Sequence, residues 1–241
     1  PARFMASALA AKGHTVITLD PRGHGQSLPH PRRGIDYGFD EFLTLDLPAV
    51  FTDLKGRFPG QPIFLIGHSL GAHIASVYAA ENAGQVAGVV GLTAAHLHNK
   101  VLGRPSLLLF GGFIILSKLL GYLPGQHLGW GNPIAKQQVS DWGMWGVTGH
   151  LRGSDGRSLA PLLKATKTPQ LLVGFSDDTL APPKSVQAFA EMFPAHLVEH
   201  RTYTPDEVGV SKLGHNLSVG QDRALNLRRG HDGQAERSSK S

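Results

Sequence analysis

No cysteine occurs anywhere in the 241 residues. Disulfides, thiolate metal ligands and a cysteine nucleophile are all excluded, while any cellular compartment is compatible with such a chain; our working expectation is the cytoplasm. Charge is also thin. Only 17% of the residues are charged, and the formal excess of +5 is scattered, with no long basic run interleaved with aromatics of the kind that grips nucleic acid. Nucleic acid is therefore not expected as a partner. A bilayer-spanning run is missing too. The most apolar stretch, Ser106 to Leu123, falls short of the roughly 20 residues a span requires, and it is interrupted by glycines and Lys118.

What the chain does contain is 30 glycines and 16 prolines, which imply many short elements joined by tight turns. Its length suffices for one large α/β domain, or two small ones, with a substantial core. The first residues form a helical pattern through Phe4, Ala8, Leu9 and Ala11, and Lys12-Gly13 reads as its stop. Thr15 to Leu19 is β-branched and apolar and reads as a strand that ends in the breaker-rich loop Asp20 to Gly25. Asp40 to Phe58 is amphipathic, with Pro48 expected to kink or restart the helix.

Further strands are expected at Ile63 to Ile66, Val86 to Leu92, Pro169 to Phe175 and Leu197 to Thr204, and helices at Leu70 to Ala80 and Pro183 to Phe193. Short apolar strands alternating with helices argue for a mostly parallel sheet covered on both faces, whose right-handed crossovers bring the strand carboxyl ends to one edge. Residues 95–165 break the alternation and read as a helical cap inserted between two strands, its apolar face over a pocket. Residues 1–94 and 166–220 then form the core, and 221–241, polar and without periodicity, a disordered tail.

One stretch carries chemistry. Gly67-His68-Ser69-Leu70-Gly71 fits G-x-S-x-G, and it stands between an expected strand and an expected helix, the context in which a serine is thrust out on a sharp turn. A Cβ two residues to either side of Ser69 is expected to collide with the neighbouring strand and helix, which accounts for both glycines. The N–H of Leu70, at the positive end of the following helix, would face a developing oxyanion. A serine at its ordinary pKa is a poor nucleophile, so it needs a histidine base oriented by a carboxylate, in the chain order serine, acid, histidine.

Asp177 and Asp178 stand just after a strand, where a carboxylate reaches the catalytic edge. Asp178 is the preferred acid and Asp177 the alternative, with the other of the pair capping a turn. Four histidines follow. His196 and His200 belong to the strand Leu197 to Thr204 or its entrance, and His231 to the polar tail, which leaves His215, in a loop beyond the last strand, as the base.

Taken together, the strand-GHSLG-helix unit, "DPRGHGQS" after an earlier strand, "SDDTLAPP" after a late one and "LGH" near the end resemble the α/β-hydrolase superfamily. Within it, "LLGYLPGQHLGWG", "FSDDTLAPPKSV" and "GVSKLGH" resemble a group of bacterial serine hydrolases, over about residues 2–219. The resemblance implies Ser69 as nucleophile, Asp178 as acid, His215 as base and residues 95–165 as the cap over an acyl pocket. It also implies first strands and an HG-type loop, with a second oxyanion donor, ahead of the first helix; these would precede Pro1. Relatives usually follow the histidine with an aromatic-rich helix, which Asn216 to Gly220 does not match.

Other patterns read more plainly. Arg22 to Ser27 is glycine-rich but lacks the lysine of a phosphate loop, and is expected to be structural. His96 and His98 could share a face, yet no third ligand stands at metal-binding spacing, and neither metal nor cofactor is expected. Trp130, Trp142 and Trp145 are expected to pack within the cap. The function this adds up to is cleavage of small, lipophilic carboxylic esters through an acyl-enzyme on Ser69. The alternatives are acyl transfer by the same residues or ligand binding without turnover.

Overall fold

A computed structural model describes residues 2–128, 132–153 and 155–216. The expected tail, His231 and Trp130 lie outside the described residues. Helix α1 (Ala2–Ala10) ends in a turn in which Gly13 takes φ 87°, a left-handed conformation that favours glycine. Helix α2 (Phe39–Glu41) runs through a π-helical segment (Phe42–Asp46) into α3 (Leu47–Arg57). Pro48 sits in the first turn of α3, just after the widened segment, where the helical hydrogen-bond ladder is already altered.

Then follow β1 (Phe64–His68), α4 (Leu70–Glu81) and β2 (Gly88–Leu92). The excursion after β2 contains α5 (Asn99–Leu102), α6 (Pro105–Leu120), a ribbon of β3 (Tyr122–Leu123) and β4 (Ile134–Ala135), α7 (Lys136–Thr148) and α8 (Ala160–Lys164). The chain returns through β5 (Gln170–Phe175), α9 (Pro183–Ala190), β6 (Val198–Tyr203) and α10 (Pro205–Val208).

The main sheet has the order β1-β2-β5-β6, with every pair parallel. Parallel pairing sends every connection back across a face, so all four carboxyl ends point to one edge. The principal core joins α3, α4 and α9 to the sheet through Phe51, Val77, Tyr78, Val89, Leu172 and Phe189. The two tryptophans described differ in their packing. Trp145 is fully buried against His73, His96 and Phe189, whereas Trp142 stacks edge-on with Phe110 and Phe113 between α6 and α7.

One expectation fails. Thr15 to Leu19 forms no strand and pairs with none among the described residues, and β1 forms an edge of the sheet they build. A β-branched apolar sequence favours extended backbone, but only a neighbour with free N–H and C=O groups makes it a strand. Ile17 and Leu19 are accordingly exposed, as are Phe64 and Ile66 on β1.

Candidate active site

Ser69 follows β1 directly and caps α4 with φ 51° and ψ −118°. Positive φ is costly for a residue with a Cβ, and the surroundings hold it there. The Ser69 N–H donates to Leu92 O at 2.8 Å, extending the β1–β2 ladder, while Ser69 O accepts from Ala72 N at 3.0 Å and opens the helix. The chain thus turns from strand to helix at one residue, which projects Oγ from the carboxyl edge of the sheet.

The two flanking glycines differ. A Cβ on Gly67 would lie 2.4 Å from the backbone of Gly71, so glycine is obligatory there. A Cβ on Gly71 would meet nothing within 4 Å, which corrects the expectation that both positions exclude a side chain. Gly71 lies on the outward side of the first helical turn, and its backbone, not its missing Cβ, fills the tight space.

Asp178 and His215 converge on the serine from the far end of the chain. His215 Nε2 lies 3.0 Å from Ser69 Oγ, and His215 Nδ1 lies 2.9 Å from Asp178 Oδ2. The His215 side chain is partly exposed and that of Asp178 is fully buried. Its other oxygen, Oδ1, accepts from the N–H groups of Leu180 at 2.9 Å and Ala181 at 2.8 Å. Burial pushes the Asp178 pKa up, but the hydrogen bonds from His215, Ala181 and Leu180 outweigh it and hold the carboxyl below its ordinary value. An ionised, buried carboxylate fixes the imidazole with Nδ1 protonated and Nε2 free to accept a proton from Ser69.

Asp177 points elsewhere: its carboxylate accepts from the N–H groups of Leu213 at 2.9 Å and Gly214 at 3.0 Å. His68 adds a contact that its place in the motif does not reveal. Its Nε2 lies 2.6 Å from the backbone oxygen of His215, so the imidazole donates to it, and burial lowers the His68 pKa. The two residues are 147 positions apart, and nothing local signals the contact. Leu70 is the first residue of α4, where a backbone N–H has no partner within the helix.

The remaining candidates lie apart from this cluster. His200 is on β6 beside Thr202, and His196 precedes that strand. The His96 Nδ1 accepts from the His98 N–H at 3.2 Å, and among the described residues no three His, Asp or Glu side chains gather where they could hold a metal. In the loop Asp20 to Ser27 the polar groups turn inward: Arg22 forms a two-pronged ion pair with Asp46, and Ser27 Oγ donates to Asp20 O at 2.7 Å.

Similarities to known proteins point the same way. Human monoglyceride lipase is 37% identical over 84 residues, which are 35% of this chain and 27% of that protein; the chain thus spans about a quarter of that relative's length. Among solved structures, the α/β hydrolase GrgF from Penicillium sp. sh18 superposes with a TM-score of 0.58 at 20% identity, covering 95% of this chain and 82% of that one. Est1E from Butyrivibrio proteoclasticus, solved with ferulic acid, gives 0.55 at 16% identity, covering 92% and 76%. These superpositions establish the α/β-hydrolase fold. The family model described as "Serine aminopeptidase, S33" matches residues 2–134, more than half of the sequence, and the chain belongs to that family of α/β hydrolases.

Proposed function

We propose that this protein is a serine hydrolase that cleaves carboxylic esters of lipophilic acids through an acyl-enzyme on Ser69. The observation that carries the reading is the unbroken hydrogen-bonded line from Asp178 through His215 to a serine held at positive φ. In this mechanism Ser69 Oγ attacks the ester carbonyl carbon as its proton passes to His215 Nε2. The resulting oxyanion is met by the Leu70 N–H at the positive end of α4. Collapse of that intermediate breaks the bond to the alkoxy oxygen, which leaves with the proton from His215. Water, deprotonated by the same nitrogen, then releases the acid and restores Ser69.

Residues 95–165 serve as the cap over the acyl-binding side of this site. That segment contains two carboxylates, Asp141 and Asp155, and both are engaged. Asp141 accepts from Phe39 N and Gln137 Nε2, and Asp155 pairs with Arg157. An aminopeptidase, as the family's description has it, must recognise an α-ammonium group, for which an uncommitted carboxylate is the natural partner. The name of the human relative, a lipase, supports esters as the substrate class.

A fluorophosphonate probe and a chain-length series of p-nitrophenyl esters test the reading. The wild-type chain is expected to be labelled and to prefer longer acyl groups. Ser69→Ala is expected to abolish labelling and to lower turnover by about 10⁴-fold or more. Labelling that survives Ser69→Ala overturns the assignment.

A further inference from the structure

Helix α6 inverts the ordinary pattern of a surface helix. Its inward residues Phe110, Ile114 and Ser117 are buried and follow the i, i+4, i+7 spacing of one face. The opposite face should then be polar. Instead it carries Leu108, Ile115 and Leu119, exposed by 81%, 61% and 67%, with Leu109, Leu116 and Leu120 beside them. Leucines and isoleucines this exposed, in one continuous ridge, mark a surface that meets an apolar partner.

The electrostatics of the surrounding chain narrow that partner. From Asn82 to Ser140 there is not one Asp or Glu, while Lys100, Arg104, Lys118 and Lys136 all fall within it, so the greater part of the molecule's positive excess belongs to this segment. Lys136 is paired with Asp36. Lys100, Arg104 and Lys118 are exposed and form no ion pair among the described residues. A second copy of the same face would oppose these cations to their own kind with no carboxylate between them. An anionic lipid surface offers both halves of the complement, acyl chains for the ridge and phosphates for the flanking cations.

The length of α6 decides how it would sit. Sixteen residues make about 24 Å of helix, less than the roughly 30 Å of a hydrocarbon core, and among the described residues no helix is long and apolar enough to cross a membrane. We propose that α6 lies in the plane of an anionic lipid surface, with Leu108, Ile115 and Leu119 among the acyl chains and Arg104 and Lys118 on the headgroup phosphates. Arg33, whose guanidinium donates to Leu119 O at 3.0 Å, ties the carboxyl end of the docked helix to the loop before α2.

The proposal goes beyond the chemistry of Ser69 and does not depend on it. Co-sedimentation with vesicles of phosphatidylcholine, alone or with about a third phosphatidylglycerol, is the test, at an ionic strength near ~0.1 M and again at ~0.5 M. The chain is expected to sediment with the anionic vesicles at least about tenfold more than with the neutral ones, and to be released by salt. The pair Leu108→Asp with Leu119→Asp is expected to abolish sedimentation, and Arg104→Glu with Lys118→Glu to reduce it about tenfold. Unchanged circular dichroism and melting temperature would certify that both variants fold. Ser69→Ala is expected to bind vesicles as the wild type does, so loss of the esterase reading and loss of the lipid reading are separable. Equal sedimentation of wild type and the Asp variant, no sedimentation with either vesicle, or a dimer that Leu108→Asp dissociates would each overturn the proposal.

Discussion

Asp177 and Gly214 are joined by a 3.0 Å hydrogen bond from the glycine N–H to the carboxylate, so the residue beside Asp178 holds the loop that carries His215. Two adjacent acids thus divide one task. Asp178 binds the imidazole, and Asp177 binds the backbone on which the imidazole rides. Asp178→Asn is expected to lower kcat by about 10⁴-fold, because the amide presents the wrong partner to Nδ1. Asp177→Ala is expected to destabilise the fold by about 2 kcal/mol, through two lost hydrogen bonds to a charged acceptor, with a smaller loss of kcat. Ester turnover and urea unfolding of the two variants check this division.

The glycines of the motif should respond oppositely to alanine. At Gly67 a Cβ would meet backbone at 2.4 Å, and neither β1 nor α4 can yield without breaking the turn, so Gly67→Ala is expected to cost about 4 kcal/mol or to prevent folding. At Gly71, where a Cβ meets nothing, alanine is expected to be neutral or to stabilise by up to about 1 kcal/mol through helix propensity. Melting temperatures of the two variants decide it.

His73 makes stability depend on pH. It is fully enclosed between Trp145 and Phe189, and burial drives its pKa from 6.5 down to about 3. Between those values the unfolded chain binds a proton that the folded chain refuses. The stabilisation is therefore complete above pH ~6.5 and is lost as pH falls toward ~3, by an amount on the order of 5 kcal/mol. His73→Phe is expected to flatten the dependence of the urea midpoint on pH between about 6.5 and 4, at some cost at neutral pH from leaving Ala95 O without its donor.

His68 holds the backbone oxygen of His215, so in the proposed reaction its part would be one of positioning. His68→Ala is expected to reduce kcat about tenfold with little change in KM, and His68→Gln, which keeps a donor, to recover part of the loss. A fall confined to KM would argue against this role.

Much of this was written locally. The β1–α4 and β5–α9 units announce themselves by apolar runs that end in Gly67-His68-Ser69 and Ser176-Asp177-Asp178, because period and turn chemistry act over a few residues. Chain order left His196, His200, His215 and His231, and their places on strand, loop and tail then favoured His215. What local pattern could not express is pairing at a distance. Thr15 to Leu19 has the composition of a strand but no partner strand among the described residues. Gly71 looks like Gly67 until the neighbours of each are known.

The choice between Asp178 and Asp177 was likewise open in the sequence, since both are acids at the end of the same strand. Only the tertiary structure separates them, by turning one carboxylate onto an imidazole and the other onto two backbone N–H groups 36 and 37 residues away. Sequence by itself determined which residue types were available and on which elements they stood, because propensity and periodicity are short-ranged. Which of them meet, and at what angle, was decided by the packing of four parallel strands, since contacts across 146 residues exist only once the sheet does.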